Sequence, residues 1–149
     1  MRPLFAPLVR LTNIGPAGAS SLSKLANQAI VATTIGVVAE ALLLAERGGA
    51  DPARVREALL GGFADSTVLR QHGQRVVEGS FVPGGQAKCP LKNTGTALAC
   101  AADLGLTLPI LHDGDALSCT LVEHGGADLD HSPILLELRG RNGEPGALA

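Results

Sequence analysis

The alternation of apolar and polar positions along the chain predicts helices throughout. From about residue 19 to 47 apolar side chains fall on nearly every face, as in "AIVATTIGVVAEALLLA" at 29–45. That pattern predicts one long helix, either surrounded by other helices or shared between subunits. Ser20 or Ser21 is expected to cap its start and Gly48-Gly49 to end it. In "ADPARVREALL", Asp51 is a good N-cap and Pro52 a good first helical residue, with Val55, Ala58 and Leu59 on one face. Gly61-Gly62 should stop this second helix. Ser66 can cap a third over 67–78, whose apolar set is Val68, Leu69, Val76 and Val77. "GSFVPGG" reads as a loop. A fourth helix is expected around 92–103, ending at Gly105, and a fifth from Pro109 through Leu121. The last is capped by Asp130 or Ser132, with Pro133 at its first position.

At the front, residues 3–10 could be the end of a helix and "RLTNI" a short strand, too little to make a domain. The tail "GRNGEPGALA", rich in Gly and Pro, is expected to fray from about residue 141. There is no internal repeat. The expected fold class is therefore all-α, about six helices over 15–140, without a β-sheet.

Composition narrows the function classes. The chain has 149 residues, 46% hydrophobic and 17% charged, which suits one globular domain. Aromatic content is 2%, with three Phe and neither Trp nor Tyr, so the core must be aliphatic. Twelve basic and 14 acidic side chains give a net charge of −2. Without a basic cluster or aromatic stacking platforms, nucleic acid is not the expected partner. Cys89, Cys100 and Cys119 are odd in number and form no CxxC pair, which argues against a disulfide framework or a zinc site and suits free thiols in a reducing cytoplasm. The opening "MRPLFAPLVRLTNIG" lacks a secretory pattern. The apolar run at 29–45 is at the short limit for a membrane span and is interrupted by Glu40, so a buried helix is expected and no membrane.

Few residues offer chemistry. His72, His112, His124 and His131 are not spaced to aim a pair at one metal, and surface or capping roles are expected; no metal is expected. Asp128 to Ser132 reads as a helix cap rather than a cation loop. Asp113 and Asp115 read as a solvated face, and the three cysteines as structural. Lys24 is different. It stands on the long apolar helix beside a loop of Gly, Ala and Ser, with Asn27 at i+3 and Gln28 at i+4, so three polar heads project from nearly one face. A packed stem with its ammonium in water explains the lysine alone, but the trio together looks like a site.

The segment Gly15-Pro-Ala-Gly18-Ala-Ser20-Ser21-Leu-Ser-Lys24-Leu-Ala-Asn27-Gln28 resembles the β-hydroxyacid dehydrogenase family pattern Gly-x-x-Gly-x-Gly-Gln-x-x-Lys-x-x-Asn-Asn/Gln. The resemblance continues through "AEALLLAERGGADPARVREALLGGFADSTVLRQHGQRVV", "FVPG", "LGLTLP" and "GGADLDHS". It implies the family's C-terminal helical domain, which supplies dimer contacts. It also implies Lys24 as the catalytic acid/base, which gives a proton to a carbonyl oxygen as hydride arrives; the ammonium stabilises the alkoxide and apolar surroundings ease proton release. Asn27 and Gln28 would bind a small hydroxy or oxo acid or hold the lysine, and Lys92 matches a family lysine near the cofactor, NAD or NADP. This sequence departs from the pattern at Ser20-Ser21, at Asn93 where Asp is usual, at Gly85 where Phe is frequent, and at Pro90. It also contains no GxGxxG strand–loop–helix, so residues 1–14 read as the remnant of a preceding Rossmann domain, and the chain alone is expected neither to bind the cofactor nor to turn over. The alternative is a non-catalytic helical oligomerisation or interaction module; a small-molecule binder that kept the substrate patch is a third.

Overall fold

The structure, a computed structural model, describes residues 12–79, 88–126 and 133–144. Among the described residues six helices follow one another: α1 Ala19–Arg47, α2 Pro52–Leu59, α3 Thr67–Glu78, α4 Lys88–Asp103, α5 Pro109–Glu123 and α6 Ile134–Arg141. No strand occurs among the described residues; Thr12, Asn13 and Ile14, from the expected short strand, are unpaired coil. The expected all-α fold with one long helix is what forms. Residues 3–10, the "FVPGG" loop and Asp128 to Ser132 lie outside the described residues.

α1 is the axis, and each of the other five helices packs against it. At 29 residues it runs about 44 Å at 1.5 Å per residue. Among the described residues only its second half is enclosed. Ile35, Val38, Ala39, Leu42 and Leu43 are buried against Leu69 and Val76 of α3, Leu117 of α5, and Ile134, Leu135 and Leu138 of α6. The core is aliphatic, as the composition requires. α1 is long and apolar enough to cross a bilayer by length and composition; its buried half instead forms the centre of the bundle.

Local signals account for most helix ends. Asp51 caps α2, its Oδ1 accepting from the Ala53 amide at 2.9 Å with Pro52 first in the helix. Ser66 caps α3, its Oγ accepting from the Leu69 amide at 3.0 Å. Gly79 closes α3 in the left-handed conformation, φ 61°. At α1 the capping expectation fails: the N-cap is Gly18, at φ 94° and without a side-chain cap, and Ser20 and Ser21 lie inside the first turn. A left-handed glycine lets the chain enter the helix two to three residues before a serine would cap it. α4 starts at Lys88 rather than 92. Pro90 then falls in the first turn, where a missing N–H costs no helical bond. α5 runs two residues past Leu121, and Pro133 is the N-cap of α6 rather than its first residue. Ala58 is exposed; α2 touches the core through the half-buried Leu59.

Polar ties fix the outer helices. Arg56 of α2 reaches over α3, its Nε donating to the Leu69 carbonyl at 3.2 Å and a terminal nitrogen to the Arg70 carbonyl at 2.6 Å. The buried Gly73 makes room, since a Cβ there would meet the Arg56 Cδ at 3.4 Å. Arg139 of α6 holds Glu46 of α1 at 2.7 Å, and Glu144 pairs with Arg47 at 2.6 Å. Residues 141–144 are thus held against α1 rather than frayed. Between α5 and α6 the buried Glu137 accepts from Arg141 Nε at 3.2 Å and meets His124 Nδ1 at 2.8 Å.

Candidate active site

Lys24, Asn27 and Gln28 occupy the exposed first half of α1. Lys24 and Asn27 are exposed and Gln28 is half-buried. Helical spacing stacks them one turn apart, with Cβ separations of about 5–6 Å. None of the three side chains is engaged by a hydrogen bond or ion pair among the described residues. Among the described residues the trio is free to meet a ligand and forms one open wall rather than a closed pocket. The apolar burial expected around Lys24 is not supplied by the described residues; its neighbours Leu22 and Ile30 are themselves exposed.

Lys92 lies on α4, the helix that packs against both α1 and α5. Its side chain is exposed and its carbonyl accepts from Thr96 Oγ1 at 2.7 Å. The structure therefore unites Lys24, Asn27 and Gln28 in one patch and sets Lys92 on a neighbouring helix.

What the sequence reading missed is the anchor beneath Lys92. Thr94 is 1% exposed, and its hydroxyl donates to Asp115 Oδ1 across the α4–α5 seam. Asp115 is half-buried, so it does not belong to the solvated face expected for it; Asp113 does. Cys119, one turn further along α5, has its sulfur 3.9 Å from Asp115 Oδ2. Burial, and then the Asp115 and Glu123 charges, push its thiol above the ordinary range. The two partners are separated by 21 residues, and no local pattern announces such a pair. Likewise His124 faces the buried Glu137, a partnership with no spacing signal. Among the described residues no group of three or more His, Cys, Asp or Glu is placed to hold a metal ion.

The described residues thus form a six-helix bundle on one long axis, with Lys24, Asn27 and Gln28 on that axis. The family model described as "NAD-binding of NADP-dependent 3-hydroxyisobutyrate dehydrogenase" matches residues 18–138. The chain belongs to this 3-hydroxyisobutyrate dehydrogenase family of β-hydroxyacid dehydrogenases. It is 42% identical over 139 residues to 2-hydroxy-3-oxopropionate reductase of Escherichia coli, covering 93% of this chain and 48% of that protein. It is 32% identical over 140 residues to a probable mitochondrial 3-hydroxyisobutyrate dehydrogenase-like protein of Arabidopsis thaliana, covering 94% and 42%. A solved 3-hydroxyisobutyrate dehydrogenase from Salmonella typhimurium superposes with a TM-score of 0.82 at 21% identity, over 90% of this chain and 49% of that one. The Mycobacterium tuberculosis 3-hydroxyisobutyrate dehydrogenase, solved with L-serine, gives 0.81 at 24%, over 93% and 50%. The chain thus spans about half the length of the relatives it matches.

Proposed function

We propose that this chain supplies the acid–base half of an NAD(P)-dependent dehydrogenase for a small hydroxy or oxo acid, 2-hydroxy-3-oxopropionate or a close analogue. The observation that carries the reading is Lys24, exposed and unengaged among the described residues, on one face with Asn27 and Gln28, in a chain 42% identical over 139 residues to the Escherichia coli reductase.

The residues fit an anionic nicotinamide dinucleotide on one side only. Lys92 and Lys24 offer exposed cations, while no glycine-rich strand–loop–helix that would cradle a pyrophosphate occurs in this sequence. The cofactor, when bound, supplies the hydride. Lys24 Nζ holds the proton that reaches the substrate oxygen and takes it back in the oxidation, and its charge favours the developing alkoxide. Asn27 and Gln28 carry amide donors and acceptors suited to orienting the acid's oxygens beside Nζ. Lys92 adds charge toward the cofactor. A second copy of the chain and a Rossmann domain complete the assembly in this reading, and the reducing cytoplasm suits its free thiols.

The test fuses the portion of the Escherichia coli reductase that this chain does not match ahead of Arg10, and follows NADH oxidation with 2-hydroxy-3-oxopropionate. The unfused chain should give no turnover. In the fusion, Lys24→Met and Lys24→Arg should each lose at least about a hundredfold in turnover, since general acid catalysis contributes roughly 10²–10⁴-fold and a guanidinium does not release its proton near neutral pH. Their melting temperatures should match the parent's, because Lys24 is exposed and unengaged among the described residues. A Lys24→Met fusion as fast as the parent would sink the assignment.

A further inference from the structure

Among the described residues the buried positions of α4 are Thr94, Ala97 and Ala101. Spaced by three and four, they form one stripe on a helix that packs against both α1 and α5. Two of the three are alanines. They allow close approach but have no side chain long enough to interlock, so packing fixes the rotation of α4 about its own axis only weakly. The start of the helix is soft as well. Pro90 lies in its first turn, and Gly95 adds backbone freedom without packing, since a Cβ there would meet nothing within 4 Å. Thr94 is the exception on the stripe. Its hydroxyl donates to Asp115 Oδ1, a directional, charge-assisted bond to the neighbouring helix. Lys92 stands two residues before Thr94, about 200° away around the helix. With Thr94 held inward, Lys92 is turned outward, onto the exposed side it shares with Thr96 and Ala99. A roll of α4 by about 20° would carry a side-chain tip about 5–6 Å from the axis through about 2 Å. A misplacement of about 1 Å is enough to cost a positioned group much of its effect.

We propose that Thr94 and Asp115 are positioning residues for the cofactor side of the site: their bond fixes the rotation of α4 and so aims Lys92 at the anionic cofactor. The proposal rests on the reading of Lys92 given under the proposed function and adds the residues that orient it. Both act through Lys92. Thr94 is buried beneath it, and Asp115 carries a charge that an anionic cofactor repels. The bond also spends the Asp115 carboxylate on the seam between the helices, where half of it is shielded from solvent.

Two readouts test this. In the unfused chain, with no cofactor added, amide hydrogen exchange across residues 92–97 should be at least about fivefold faster in Thr94→Val than in the parent. Thr94→Ser, which keeps the hydroxyl, should exchange at close to the parent's rate. In the fusion with the Escherichia coli portion, NADH is titrated by its fluorescence, well below the melting temperature of every variant. Lys92→Ala should raise the NADH dissociation constant about tenfold or more, and Thr94→Val at least about threefold. The double variant should bind no more weakly than Lys92→Ala alone, because Thr94 then has nothing left to aim. Val76→Ala, a core truncation in α3, should lower the melting temperature and leave NADH affinity at the parent's value. Parental exchange or parental affinity in Thr94→Val would overturn the positioning role while leaving Lys92 as a cofactor residue. So would a threefold loss that persists on top of Lys92→Ala, or a Val76→Ala fusion that weakens as much as Thr94→Val. A Lys92→Ala fusion that binds NADH as tightly as the parent would overturn the reading of Lys92 and this proposal together. Turnover of the Lys24 variants reports on the acid–base assignment separately from all of these.

Discussion

Removing the Thr94 hydroxyl should loosen the seam that carries Lys92. Thr94→Val keeps the shape of the side chain and deletes the donor to Asp115. Thr94 is 1% exposed, so water cannot replace the lost bond from its side, and Asp115 is only half-buried, so water can partly replace it from the other. A hydrogen bond to a charged group is worth about 1.5–3 kcal/mol net; partial access at Asp115 places the expected loss at about 1–2 kcal/mol. For a domain of this size each kcal/mol moves the melting temperature by about 2–4 °C, so Thr94→Val should melt about 2–8 °C lower. Asp115→Asn keeps an acceptor oxygen and should lose less. The decisive measurement is the double-mutant cycle with Asp115→Ala, which should show coupling of at least about 0.5 kcal/mol. Strictly additive losses, or a Thr94→Val variant as stable as the parent, would refute the claim that this bond ties α4 to α5.

Leu42, 2% exposed at the centre of the core, should cost about 2–5 kcal/mol on truncation to Ala, read by urea denaturation. Cys119 should alkylate more slowly than Cys100 near neutral pH, and its rate should still be climbing above pH 9.0, because its thiol is raised from that value by burial and by Asp115; mass-spectrometric mapping of both sites checks it. Asp65 accepts from Arg70 and from the Gly61 amide, which holds its carboxyl below 3.8. Its contribution is present above that value and fades as pH falls through the lowered one, so the stability gap between parent and Asp65→Asn should be small at neutral pH and vanish in acid.

The helices were legible because their signals are local. Asp51-Pro52 and Ser66 cap through atoms two or three residues away, and an apolar set such as Leu69 and Val76 repeats within one helix. Boundaries set by backbone alone were less legible: Gly18 starts α1 ahead of the serines because glycine needs no cap to turn left-handed. The Lys24–Asn27–Gln28 patch was legible for the same reason as the caps, since its members are one turn apart on one helix. Contacts between helices were not. The Thr94–Asp115 bond joins residues 21 positions apart and the His124–Glu137 pair joins residues 13 apart. Neither has a spacing that distinguishes it from chance, and Asp115 read as a solvated carboxylate until its partner helix was in place.

α1 is apolar on nearly all faces, and the bundle uses only some of them among the described residues. Its inner face at Ile35, Val38, Ala39, Leu42 and Leu43 is consumed by the bundle. Its outer face at Ile30, Val37 and Leu44 is exposed. Lys24 lies in the first two turns of α1, ahead of that buried half. A single helix can thus be a core element in one half and, in the reading proposed above, an acid–base platform at its start, because the two roles use different turns. Among the described residues Lys24 has no partner, and its exposed side is the side on which that reading brings cofactor and substrate.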